Sequence, residues 1–235
     1  AAECCRSGLR QNVRMSTPLC LRCFAINKRS LLQKLPAPFW HLLFHRLPNP
    51  SSQLCAQFFS CTPLIVAHGI KTGLSIRIDH HTQLGADIVA NAVAAAGILG
   101  KPFAVVDFKT ATTISIVNVN GEFCGGIIAP GVRLSADALS KSAAELPYIS
   151  LNMPKSPIGK NTADAMQIGC ILGAASMVDG LLARFRTFLQ TDDLQVIATG
   201  YLASKVLPFC TQKIEFQPHL TLNGLEKLYF LNASK

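Results

Sequence analysis

Negative charge is scarce in this chain. Thirteen Asp and Glu stand against 22 Lys and Arg, for a formal net charge of +9 over 235 residues. The shortage is local: residues 1–50 hold eight Lys or Arg and only Glu3, which leaves about +2 for everything after them. A basic surface for nucleic acid is therefore not expected of the body of the chain. Long uncharged apolar runs are missing too. The longest stretch without a charge, Leu47 to Ile70, is broken by Pro48, Pro50 and Pro63. Ala165 to Val178 is uncharged but too short to cross a bilayer, so no membrane span is predicted. Paired cysteines are also lacking. Cys20 and Cys23 have metal-ligand spacing, but no second pair follows at zinc-ribbon distance. An odd count of nine, irregularly spaced, predicts free thiols in a reducing, cytoplasmic compartment.

The first fifty residues lack a clean helical or alternating period. Three readings stay open for them: a non-native or frame-shifted segment, an Arg-rich and acid-poor targeting peptide, and a basic arm.

Ordinary globular patterning begins near Thr62. Pro63 to Ala67 and Leu74 to Ile78 read as short strands. Leu84 to Leu99 has apolar residues at helical spacing, with Gly100 and Pro102 to end it. Phe103 to Val106 is a buried strand with Asp107 directly after it. Burying a carboxylate there is costly unless it is paired or binds a cation, though an Asp that caps the next turn is the plainer alternative. Thr110, Thr112 and Thr113 follow, either as strand formers or as hydroxyls for a ligand. Ile114 to Val119 and Glu122 to Ile128 form a hairpin about Asn120-Gly121. Leu134 to Leu146 reads as a helix. Thr162 reads as the N-cap of Ala163 to Leu189, in which Gly169 and Gly173 suggest close helix packing. Gln195 to Thr199 is a last buried strand, and Leu222 to Leu231 a closing helix. The strand–helix alternation is that of an α/β protein. A carboxylate at a strand end with hydroxyls in the next turn suits a phosphate-handling site, where positioning and charge neutralisation do most of the chemistry.

Several motifs in one order carry a resemblance: LGAD at 84–87, ANAVAA at 90–95, VDF-x-TATT at 106–113, GG-x-I-x-PG at 125–131, IGKNT at 158–162, VDGL at 178–181, ATG at 198–200 and LTL-x-GL at 220–225. From Pro63 to Asn232 the chain resembles the type III pantothenate kinases. The resemblance implies two ribonuclease-H-like (actin-like ATPase) lobes, the first truncated or replaced at its N-terminus. Residues 1–60 would be an atypical segment, 61–102 the remainder of the first lobe and 103–235 the second lobe. It also implies a homodimer that phosphorylates pantothenate with ATP, the first step toward coenzyme A, using potassium or ammonium ion besides magnesium with ATP. By the same resemblance Asp87 is the general base, Gly85, Ala86, Ile88 and Thr162 lie with it in the pantothenate site, Thr110 contacts ATP, and Asp107 binds the monovalent cation.

Four departures from the family's pattern stand out. Ile88 replaces an arginine, removing a forked, charged donor. Lys109 replaces a glycine, which either strains the backbone or fills the site, with attraction of phosphate by its charge as the less favoured alternative. Tyr201 stands where a second glycine is usual. No D-x-G-N-T phosphate loop occurs in residues 1–62. These departures keep a second expectation in view, a catalytically inactive remnant or a regulatory binding protein like the Bvg accessory factor.

Overall fold

One strand sorts the rest of the chain into two cores. Phe103–Phe108 (β2) is buried along its whole length, and its side chains alternate between two faces. Ala104, Val106 and Phe108 join one apolar cluster; Phe103 and Val105 join another. The computed structural model describes residues 64–154 and 156–232, all of which belong to one compact unit. The hairpin partners β3 (Ala111–Val117) and β4 (Glu122–Pro130) extend the sheet antiparallel on one side of β2. On the other side lie β5 (Gln195–Thr199) and β6 (Glu215–Phe216), both parallel. A two-residue strand, β1 (Ser75–Ile76), pairs parallel with β4 at the far edge. The order across the sheet is β1-β4-β3-β2-β5-β6. Asn118 fixes the hairpin turn, its side-chain oxygen accepting the N–H groups of Asn120 and Glu122 at 3.0 and 2.9 Å.

The first face is covered by α2 (Val132–Ser142) and α3 (Thr162–Leu189). Along α3 the buried residues are Met166, Cys170, Ile171, Ala175, Val178 and Leu182, a helical stripe laid on the sheet. By length and composition α3 could cross a membrane, the one helix among the described residues to do so. Its apolar stripe is instead packed against β2, β3 and β5 as a core helix. Among the described residues Gly169 and Gly173 do not serve close packing: a Cβ at either would meet none of them within 4 Å, because the buried stripe runs beside them. The cap of α3 is Asn161 rather than Thr162; the Asn161 side-chain oxygen accepts the Asp164 N–H at 2.9 Å. After β5 comes the short helix α4 (Ala203–Val206).

The second face is covered by α1 (Ala86–Ala95) and α5 (Leu220–Asn232). The two helices meet at Gly224, where any side chain would run into the Ala90 carbonyl. The run of alanines in α1 permits this close approach to both helix and sheet.

The expected elements recur with changes of extent: the strand expected at Leu74 to Ile78 shrinks to Ser75–Ile76, and a short strand, Glu215–Phe216, follows the one expected to be last. Leu64 to Ala67 is not a strand: Val66 is held by Ala86, Val89 and Leu228, so helix packing and not sheet pairing fixes it; Pro63 lies outside the described residues. Helix α1 ends at Ala95, well before Gly100, with tighter turns carrying the chain to Leu99. Helix α2 runs from Val132 and stops at Ser142, ahead of Pro147. Asp107 lies inside β2 instead of following it.

Gly224→Val should destabilise the fold by about 1–3 kcal/mol through overpacking against α1, read as a lower urea midpoint at unchanged slope. The thiols give a second check. Burial pushes Cys170 above its ordinary range, and burial with the nearby Asp179 charge pushes Cys210 up to about 12, whereas Cys124 is exposed. Native alkylation near neutral pH should therefore label Cys124 well before Cys170 or Cys210, as read by peptide mapping.

Candidate functional site

The alternation that builds the second core also aims Asp107 at it. Asp107 lies opposite Thr113 of β3 and Thr199 of β5 and is only 4% exposed. Its Oδ2 accepts from Lys109 Nζ at 2.7 Å and from Asn91 Nδ2 at 2.8 Å. Asn91 comes from the buried side of α1, and its Oδ1 accepts from Thr221 Oγ1 of α5 at 2.7 Å. Thr221 Oγ1 in turn accepts from Lys109 Nζ at 3.3 Å. Four side chains thus close a ring that joins β2, the turn after it, α1 and α5. Asp107 Oδ1 and Thr112 Oγ1 are both buried, and neither has a hydrogen-bond partner among the described residues.

The electrostatics follow from this ring. Burial pushes the Asp107 carboxyl above its ordinary value. The Lys109 charge and hydrogen bond and the Asn91 amide pull it down, and the Asp87 charge adds a further push upward. Asp87 therefore shares the electrostatic field of Asp107 from the first turn of α1.

Gly85 is the N-cap of α1 and Ala86 its buried first residue. Asp87 is exposed, with Oδ1 accepting the Ile88 N–H at 2.9 Å. Ile88 is half-buried and packs against the second core, so an aliphatic side chain there is satisfied by apolar contact. Thr110 is exposed in the turn after β2, and its carbonyl accepts the Gly131 N–H at 3.1 Å. Gly200, at φ 102°, lies against the Phe108 backbone and holds the end of β5 to the end of β2. Tyr201 beside it is 66% exposed.

The structure thus gathers Asp107 and Lys109 with Asp87 near them. No hydrogen bond or ion pair among the described residues links Thr162, at the start of α3, to that cluster. The backbone strain expected of Lys109 does not arise: Gln190 is the one non-glycine residue with positive φ among those described. Asn91 and Thr221 were missed as site residues. Their signal was a polar side chain set in each of two otherwise apolar motifs, ANAVAA and LTL.

Against known proteins, the type III pantothenate kinase profile matches residues 46–184. The chain belongs to the type III pantothenate kinase family. The match takes in residues 46–60, part of the segment expected to stand apart. A type III pantothenate kinase of Streptomyces griseus subsp. griseus is 47% identical over 174 residues, 73% of this chain and 66% of that protein. One from Halalkalibacterium halodurans is 42% identical over 182 residues, 77% of this chain and 71% of that protein. The chain therefore spans about two thirds of the length of these curated relatives. Among solved structures, a conserved Campylobacter jejuni protein described as a Baf family transcriptional activator superposes with a TM-score of 0.55 at 19% identity, covering 80% of this chain and 81% of that one. That likeness shows a shared mixed α/β fold.

In this family member, Asn91→Ala should cost about 1–3 kcal/mol by leaving Asp107 and Thr221 short of a partner. A double-mutant cycle with Thr221→Ala should return a coupling of at least about 0.5 kcal/mol in thermal or urea unfolding. Additive effects would show that the ring is not closed.

Proposed function

We propose that the protein transfers the γ-phosphoryl group of ATP to the 4′-hydroxyl of pantothenate, the first step of coenzyme A synthesis. The observation that carries this reading is that, in a chain matching the family over 46–184, the helix that exposes Asp87 in its first turn also holds the buried Asp107 of β2 through Asn91 at 2.8 Å. Asp87 is exposed at a helix N-terminus, where substrate can reach it. Its carboxylate orients the attacking hydroxyl and takes its proton. The turn at Thr110, with its hydroxyl and backbone N–H groups, contacts the phosphates. Gly85, Ala86 and Ile88 line the pantothenate side, and Thr162 contacts pantothenate from the first turn of α3. Magnesium arrives on the ATP phosphates.

The division into lobes belongs to the same proposal. Strand order β4-β3-β2-β5-β6, three antiparallel strands followed by two parallel ones, supports a ribonuclease-H-like second lobe over 103–235. Residues 61–102 are then the remainder of the first lobe, with β1 paired to β4 and α1 packed on the sheet of the second. We place the protein in the cytoplasm as a homodimer. A second reading, a catalytically inactive remnant or a regulatory binding protein, is favoured by Ile88, which offers substrate no charged donor.

Purified protein should phosphorylate pantothenate when supplied with ATP and magnesium, as measured by coupled ADP release. Binding of pantothenate in calorimetry with no turnover would instead establish the second reading. Asp87→Asn should lower kcat by about 100-fold or more with the melting temperature unchanged. Ile88→Arg should lower the KM for pantothenate by about tenfold or more, since a hydrogen bond to a charged group contributes about 1.5–3 kcal/mol. An unchanged KM would remove residue 88 from the substrate site.

A further inference from the structure

The family resemblance assigns Asp107 to a monovalent cation, and the residues present do not fit one. The position beside Oδ2 holds the Lys109 ammonium at 2.7 Å and the Asn91 amide at 2.8 Å. Among the described residues Oδ1 is the Asp107 oxygen that receives no donor, whereas a potassium ion exchanges its water shell for several oxygens. A second cation would also have to sit against the Lys109 ammonium, and two like charges that close beside a carboxylate only 4% exposed repel each other with little solvent to screen them.

We propose that the Lys109 ammonium is this protein's own monovalent cation, a tethered –NH3+ that holds the position, charge and hydrogen-bonding role of a free potassium or ammonium ion at Asp107. The chemistry matches, because an alkylammonium is an ammonium ion with one hydrogen replaced by a carbon chain. Two of its N–H donors go to Asp107 Oδ2 and Thr221 Oγ1. The side chain keeps 34% exposure, so a third donor remains for water or for a phosphate oxygen. Tethering removes the entropy of capturing an ion from solution, and the site then needs no free cation. This inference rests on the kinase reading for the role of Asp107 in phosphoryl transfer, but its test does not depend on turnover.

The test is thermal unfolding of the full chain in potassium, ammonium and choline chloride at one ionic strength, for wild type, Lys109→Gly and Lys109→Met. Wild-type midpoints should coincide in the three salts. Lys109→Gly should melt lower in choline and regain about 3 °C or more in potassium or ammonium, as ion binding refills the position. Lys109→Met fills the space without charge and should melt low in all three. If the glycine chain does not fold, Lys109→Ala takes its place. A wild-type midpoint that rises in potassium as much as the variant's would show that a free ion binds beside Lys109 and would overturn the proposal. Glycine or alanine variants indifferent to salt would overturn it as well, by showing that Asp107 holds no cation. Failure of the kinase reading is distinguishable: it shows as absent ATP- and pantothenate-dependent turnover in every salt, whatever the melting curves do.

Discussion

The candidate site depends on one buried carboxylate and on how its charge is answered. Asp107 sits in the middle strand of the sheet with hardly any solvent contact, where an unpaired charge could not persist. The answer comes from three directions: an ammonium from the turn after β2, an amide from α1 and, through that amide, a hydroxyl from α5. Two helices that share few polar residues are thereby registered on the sheet by a polar ring instead of by apolar contact alone. Apolar packing at Ala90 and Gly224 brings the helices close. The ring then determines how they lie relative to the strand that carries the site, and so where the first turn of α1 presents Asp87.

Much of this architecture was legible in the sequence, for physical reasons. Phe103 to Val106 reads as a buried strand because it is uniformly apolar, and the Asn120-Gly121 turn announces the hairpin that follows. The long helix ending at Leu189 shows its apolar stripe. The short strand read at Pro63 to Ala67 misled because a short apolar run looks alike whether it pairs with a sheet or packs beneath a helix. Gly169 and Gly173 misled because a small-residue pattern does not say which side of a helix meets the core.

The site was legible in its carboxylates and not in their partners. Asp107 stands out as an acid at the end of an apolar run, and Asp87 as an acid at the start of a helix. Asn91 and Thr221 are 130 residues apart in sequence, and neither spacing nor composition joins them. Lys109 is the instructive case. Read one residue at a time, a lysine in place of a glycine suggested strain or obstruction. In the fold its backbone is unstrained, and its side chain supplies the counter-charge that Asp107 requires. A departure from a family pattern can therefore be complementary to the site it alters.

The ion pair at the centre of this account can be observed directly by NMR of lysine ammonium groups. An ammonium held between Asp107 and Thr221 exchanges its protons slowly enough to give a resolved signal, while solvated lysines do not. One such signal assigned to Lys109, and lost in Asp107→Asn, is the expected result. A Lys109 ammonium indistinguishable from the surface lysines, or one unaffected by Asp107→Asn, would contradict the account.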